Sequence, residues 1–495
     1  MRYVSTRDKT INRTSAEAIA RGICDDGGLF APAVLPSLSV NALHSMCTMS
    51  YQQRAVYVMG AFLEDYTFAE ISAFANRAYG TRGFDTQEIA PLHKLDDDTY
   101  FLELWHGPTC AFKDMALQML PHLMSAALGK IGERKQVCIL AATSGDTGKA
   151  ALEGFCDVDG TKILVFYPKD GVSEIQRLQM TTQAGRNVGV CAVTGNFDDA
   201  QAGVKRLFTD TALRSELEAA GWLLSSANSI NWGRLLPQIV YYVSAYCDLI
   251  GEGRIGMGDQ INVCVPTGNF GNILAAFYAK RMGLPIHKLI CASNANNVLT
   301  TFINTGVYDR NIQFYNTISP SMDILVSSNL ERLLFELSDK NDRLVAGYMQ
   351  ALASQGRYVA DDRIQSALGE LFWANDCSDE KTKLVINATF QKYQYLIDPH
   401  TAVAYDVLNH YRHDSGDAKP CVVVSTASPY KFCESVLDAL GDHGEAAGLD
   451  RIDRLAQVTG TAPPGPLLAL KNKRERFLTC VEKENMRAIV NEFLK

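Results

Sequence analysis

From about residue 98 the chain alternates short apolar runs with segments whose apolar positions recur at helical spacing. The runs are TYFLELW (99–105), QVCILAAT (136–143), KILVFYP (162–168), NVGVCAV (187–193), INVCVP (261–266), KLICAS (288–293) and CVVVSTA (421–427). Helical segments such as EIQRLQMTTQAG, RLLPQIVYYVSAYCDLIG and NILAAFYAKRMG lie between them. Strand, turn and helix in repetition predict parallel sheets covered on both faces, which bind ligands beyond the C-terminal strand ends. Residues 1 to about 90 read as a mainly helical lead-in. The stretch 310–395 reads as mostly helical and uninformative on chemistry. The tail from Arg451 reads as packing structure.

The stretch that organises the chemistry is HGPTCAFKDMALQ (106–118). Ala116, Met119, Leu120, Leu123 and Ala127 predict one helix running to Gly129, with Lys113 in its first turn. A helix N-terminus disfavours a cation, and apolar neighbours disfavour any charge, so the amine is expected to titrate low. Such a lysine can form an imine with a carbonyl compound and act as a base. A surface lysine opening a helix fits the same residues.

Three turns follow strands. TSGDTGK (143–149) lacks the first Gly and the final Ser or Thr of a nucleotide-binding P-loop, which argues against nucleotide hydrolysis. Its amides and hydroxyls suit a carboxylate, or simply cap a helix. PTGNFGN (266–272) reads as a phosphate cradle without a lysine, or as a loop using Gly for conformation alone. VSTAS (424–428) offers a hydroxyl at a strand end. A fourth feature, SSANSINWGR (225–234), combines Asn, Ser and Arg as an oxyanion would require, and equally as a capped helix would.

Composition narrows the picture. The 495 residues allow two or three domains. A net charge of -8 without a long basic run argues against nucleic acid and anionic membranes as partners. The nine histidines lack metal spacing, so no metal is expected. Thirteen cysteines without a C-x-x-C pair suggest free thiols in a reducing compartment. With no apolar leader and no membrane-length run, a soluble cytoplasmic protein is expected.

An imine-ready lysine, a phosphate cradle and a carboxylate turn together describe a pyridoxal phosphate site. At this point the chain resembles the threonine synthase family of fold type II pyridoxal phosphate enzymes. The resemblance rests on YVSTRD, RGICDDGGLFAP, HGPTCAFKD, LAATSGDTGKA, GVSEIQRLQM, VTGNFDDAQ, NSINWGRLLPQIVYY, VPTGNFGN, NTISPSMDI and IDPHTAVAY. It implies a fold like that of the tryptophan synthase β-subunit: two parallel-sheet α/β domains behind an N-terminal, mainly helical domain. The expected division is 1–95, a large cofactor-binding domain of 96–134 with 221–495, and a small domain of 135–220.

The resemblance also implies roles. Lys113 would be the Schiff-base lysine. Gly268, Asn269, Phe270, Gly271 and Asn272 would hold the cofactor phosphate, and Thr426 would face the pyridine nitrogen. Ser144, Gly145, Asp146 and Thr147 would contact the substrate amino acid. Asn228, Ser229, Asn231 and Arg234 would bind the substrate phosphate. The implied reaction takes O-phospho-L-homoserine and water to L-threonine and phosphate, by a monomer or homodimer. One departure stands out: the family usually reads TAHPAKF where this chain reads TASPYKF (426–432).

Overall fold

The computed structural model describes the chain except Arg82, Ser144, Asn196 and the side chains of Phe197 and Asp198. Its larger sheet has six strands in the order Phe372–Asp376, Ile286–Ser293, Ile261–Pro266, Cys421–Ser425, Thr99–Glu103 and Leu92–Lys94. All neighbours pair in parallel except the edge strand Leu92–Lys94, which is antiparallel. The smaller sheet has five parallel strands in the order Cys480–Val481, Val188–Val193, Thr161–Pro168, Gln136–Ala142 and Trp222–Ser225. Most of these strands are buried along their length, as sheets covered on both faces require. The N-terminal region adds a small antiparallel sheet, Tyr3–Ser5 with Asn12–Arg13 and Phe30–Pro32, ahead of three helices.

Each apolar run named above forms a strand, and the alternation with helices is that of an α/β protein. One expectation is incomplete and one needs correction. The region 310–395 is mostly helical, as expected, but it also supplies Phe372–Asp376, an edge strand of the larger sheet. Its five residues, FWAND, are too few to stand out from the flanking helices. The helix after Lys113 is also two helices, Asp114–Leu117 and Leu120–Lys130. Pro121 has no N–H to give to the carbonyl of Leu117, so the first segment ends there. That carbonyl instead abuts Gly154, where a Cβ would stand 2.0 Å from it.

The helix Trp232–Gly251 is apolar almost all round and nearly wholly buried. It packs against the helices Tyr51–Gly60 and Gly271–Met282 and so ties the N-terminal region to the larger sheet. The chain's end returns to the smaller sheet, where Cys480–Val481 pairs with Val188–Val193. All thirteen cysteines are free. No helix among the described residues is long and apolar enough to cross a membrane.

Candidate active site

A cavity of about 540 Å³ opens beyond the C-terminal strand ends, between the two sheets. Lys113, Thr147, Asn228, Ser229, Arg234, Thr426 and the whole turn Gly268–Asn272 line it. These come from both sheets and from the connecting segments, as the sequence reading expects.

Lys113 stands at the N-terminus of Asp114–Leu117 and is only 8% exposed. Its Nζ lies 3.4 Å from Asp146 Oδ2 and 3.3 Å from Ser321 Oγ. Burial pushes the amine down to about 8; Asp146 opposes this, while Arg234 and Lys431 add to it. Burial alone would raise the carboxyl of Asp146. Lys431 at 2.8 Å and Lys113 outweigh it and hold Asp146 well below the usual carboxylate range. Asp114, next in sequence, accepts from the N–H and hydroxyl of Thr109, and burial pushes its carboxyl up to about 6.

The turn after Ile261–Pro266 forms a cradle. Asn272 accepts from the hydroxyls of Tyr241 and Tyr242 through Oδ1, while its buried Nδ2 has no partner among the described residues. Among the described residues no protein acceptor meets the N–H groups of Gly268 to Asn272. The left-handed residue is Phe270, at φ 63°, rather than a glycine. A bulky residue in that region is strained, and persists here because the aromatic ring is buried near Phe372. Gly268 is required for a different reason: a Cβ there would lie 2.6 Å from the carbonyl of Ser321. A ring of unpaired donors at a helix N-terminus fits a phosphate. With a low-titrating lysine in the same cavity, the residues fit pyridoxal phosphate.

The second anion feature is Arg234, in the first turn of Trp232–Gly251 and 5% exposed. Its Nη1 donates to Ala227 O at 2.6 Å and its Nη2 to Thr147 Oγ1 at 3.5 Å. Among the described residues it has no carboxylate partner, and burial pushes it down to about 10. The helix dipole opposes a cation at this position, so an arriving anion would relieve both costs.

Not every expected residue reaches the cavity. Asn231 is fully buried and spent: Oδ1 caps its helix through Gly233 N at 2.9 Å and Nδ2 donates to Ile19 O at 3.0 Å. Asp146 faces Lys113, Lys431 and Gln176 instead of the open cavity. Gly145 packs under Gln176, where a Cβ would lie 2.5 Å from the amide carbon. Ser144 lies outside the described residues. Lys149 is tied to Glu153 and Gln183, as expected of a turn that is no P-loop.

Four residues escape the sequence assignment. Ser321 donates to Asp146 Oδ2 at 3.2 Å and lines the cavity. His400 also lines it. Its Nδ1–H donates to Asp398 Oδ1 at 2.7 Å, which leaves Nε2 to accept the N–H of Ser321 at 3.2 Å. Gln176 and Lys431 hold Asp146. Ser321 and His400 sit in NTISPSMDI and IDPHTAVAY, strings that carry the resemblance without a stated role. In the departing segment Ser428 caps a short helix, and Tyr430 donates to Thr461 O at 2.9 Å.

Comparisons with known proteins bear on the family and the fold. A family profile described as pyridoxal-phosphate dependent enzyme matches residues 81–427. Profiles described as threonine synthase N terminus and threonine synthase, C-terminal match 2–79 and 401–490. A threonine synthase of Pseudomonas aeruginosa is 39% identical over 88% of this chain and 90% of its own length. The chain belongs to the threonine synthase family. Threonine synthase-like 1 of Homo sapiens is 41% identical over 88% of this chain. The chain spans only 60% of that protein's length, and 57% to 60% of the similar primate and mouse relatives. A crystal structure of pyridoxal phosphate-bound threonine synthase from Brucella melitensis superposes with a TM-score of 0.88 at 36% identity, covering 100% of this chain and 98% of that one. The architecture is therefore that of a fold type II pyridoxal phosphate enzyme.

Proposed function

We propose that the protein converts O-phospho-L-homoserine and water to L-threonine and phosphate, using pyridoxal phosphate. The observation that carries this reading is Arg234, a buried cation without a carboxylate partner among the described residues, in the same cavity as the Gly268–Asn272 cradle. Two anion sites in one cavity suit an enzyme whose cofactor and substrate both bear phosphate.

Gly268, Asn269, Phe270, Gly271 and Asn272 would hold the cofactor phosphate, Thr426 its ring nitrogen, and Lys113 its aldehyde carbon. When bound, the cofactor supplies an electron sink for the pair left at the substrate's Cα. Once free, the Lys113 amine takes the proton from Cα, and its low basicity keeps it neutral enough to do so near pH 8. Asp146 and Ser321 hold that amine when it is off the cofactor. Thr147 orients the substrate together with the neighbouring residues of its turn, Ser144 among them. Loss of a proton from Cβ would supply the electron pair that expels the γ-phosphate from Cγ, where Arg234, Asn228 and Ser229 receive it; Cγ then gains a proton, water adds at Cβ, and a proton returns to Cα. Gly145, Asp146 and Asn231 shape these walls from behind.

The division we propose starts from 1–95, 96–134 with 221–495, and 135–220, and moves the strands Trp222–Ser225 and Cys480–Val481 from the large unit to the small one. The five-stranded sheet supports the smallest unit, with Trp222–Ser225 and the returning Cys480–Val481 added at its edges. A cytoplasmic monomer or homodimer without nucleic-acid partners completes the reading, in keeping with a net charge of -8.

Purified protein supplied with phosphohomoserine should release phosphate and form threonine in equal amounts. Phosphate release without threonine, or pyruvate from serine at comparable efficiency, would turn the assignment toward a dehydratase. Mass spectrometry after borohydride reduction should find the cofactor on Lys113.

A further inference from the structure

Behind the two anion-binding turns lies a buried cation that the proposed reaction does not use. Arg332 is fully buried. Its guanidinium donates to three neutral acceptors: Phe30 O at 2.9 Å, Asn329 Oδ1 at 2.6 Å and Ile230 O at 2.6 Å. Among the described residues it forms no ion pair. The adjacent Glu331 is engaged elsewhere, by Arg7 at 2.8 Å and by Thr6 at 2.5 Å. A buried charge so placed is costly, and a neutral residue could fill the space at lower cost if packing were its only task.

What Arg332 grips explains the cost. Ile230 belongs to the turn that carries Asn228 and Ser229. Asn329 belongs to the brace of the other turn: its backbone N–H and its Nδ2 both donate to Asn269 O, at 3.2 and 3.1 Å. Ser327 Oγ donates to Gly268 O at 2.8 Å. In a planar trans peptide the N–H points opposite to the C=O it follows. Fixing Gly268 O and Asn269 O on the outside therefore turns the N–H groups of Asn269 and Phe270 the other way. The segment 327–332 thus sets the cradle's donors, and a single guanidinium links that segment to the second turn.

We propose that Arg332 is a positioning residue that joins the cofactor-phosphate turn and the substrate-phosphate turn into one unit, the first through Asn329 and the second through Ile230. This rests on the reading above that the two turns hold those two phosphates.

The test uses the full chain and two affinities. One is for pyridoxal phosphate, on reconstitution of cofactor-free protein. The other is for inorganic phosphate on the cofactor-loaded protein, with Arg234→Met marking the signal that belongs to the second turn. Arg332→Met is expected to weaken both by about tenfold, the worth of a charged hydrogen bond. Asn329→Ala removes the Nδ2 bond to Asn269 and the acceptor for Arg332 Nη1 but leaves the bond from Arg332 to Ile230, and is expected to weaken the cofactor alone. Arg332→Lys, whose single ammonium cannot span three acceptors, serves where the methionine variant does not fold and is expected to weaken at least the phosphate site. Loss of neither affinity in the Arg332 variants, or equal loss of both in Asn329→Ala, would overturn the proposal. Failure of the wild-type protein to attach cofactor at Lys113 would instead refute the functional reading beneath it.

Discussion

Asp146→Asn is the substitution that most directly probes the site. The side chain keeps its shape, and an amide oxygen still accepts from Gln176 and Lys431. What it removes is one negative charge 3.4 Å from the Lys113 amine. With an effective dielectric of about 20, Coulomb's law gives roughly 5 kcal/mol for unit charges at that separation, an upper bound. Part of that field is already answered by Lys431, which lies closer, at 2.8 Å. Without the carboxylate between them, Lys431 continues to oppose a charge on Lys113, and burial continues to disfavour it, so Lys113 becomes less basic than before. A net fall of at least one pH unit is expected, equivalent to about 1.4 kcal/mol.

The sign follows directly. A depressed amine is protonated below its pKa and neutral above it, and only the neutral form attacks an aldehyde. Covalent capture of pyridoxal phosphate by cofactor-free wild-type protein should therefore accelerate as pH rises through about 8. In Asp146→Asn the same rise should occur at least one unit lower. The assay is stopped-flow absorbance of cofactor attachment across pH, with attachment at Lys113 checked by mass after borohydride. A midpoint that stays put, or moves up, would refute the claim that Asp146 governs this amine.

Three further outcomes are expected. Arg234→Gln should raise KM for phosphohomoserine by about 100-fold, since charge-assisted bonds to the phosphate are lost, while the cofactor absorbance stays intact; steady-state kinetics beside a spectrum checks this. Gly268→Ala should weaken pyridoxal phosphate binding, because its methyl would lie 2.6 Å from Ser321 O and the backbone must yield; equilibrium titration of cofactor-free protein reads the loss. Tyr430→Phe should lower stability by about 1 kcal/mol through the bond to Thr461, with kcat unchanged, as thermal unfolding and kinetics would show.

How much of this could be read from the chain depended on whether a signal was local. Buried parallel strands leave unbroken apolar runs, so the sheets were legible, and Lys113, the Gly268–Asn272 turn and Arg234 were marked by chemistry at a helix start. Asn231 misled because a capping Asn and a ligand-binding Asn look alike in sequence; only its bonds to Gly233 and Ile19 distinguish them. Asp146 misled for a related reason. The resemblance implies that it contacts the substrate amino acid, whereas in the fold two lysines far apart in sequence, Lys113 and Lys431, converge on it. Phe270 shows the limit most sharply. The glycines around it promise conformational freedom, yet the aromatic residue takes the left-handed position, because the core holds its ring and the brace from 327–332 holds the carbonyls beside it. That brace comes from the stretch with the least chemical signal in the chain. Its serine, asparagine and arginine act on the site through carbonyl groups, and a carbonyl's partner leaves no mark in sequence.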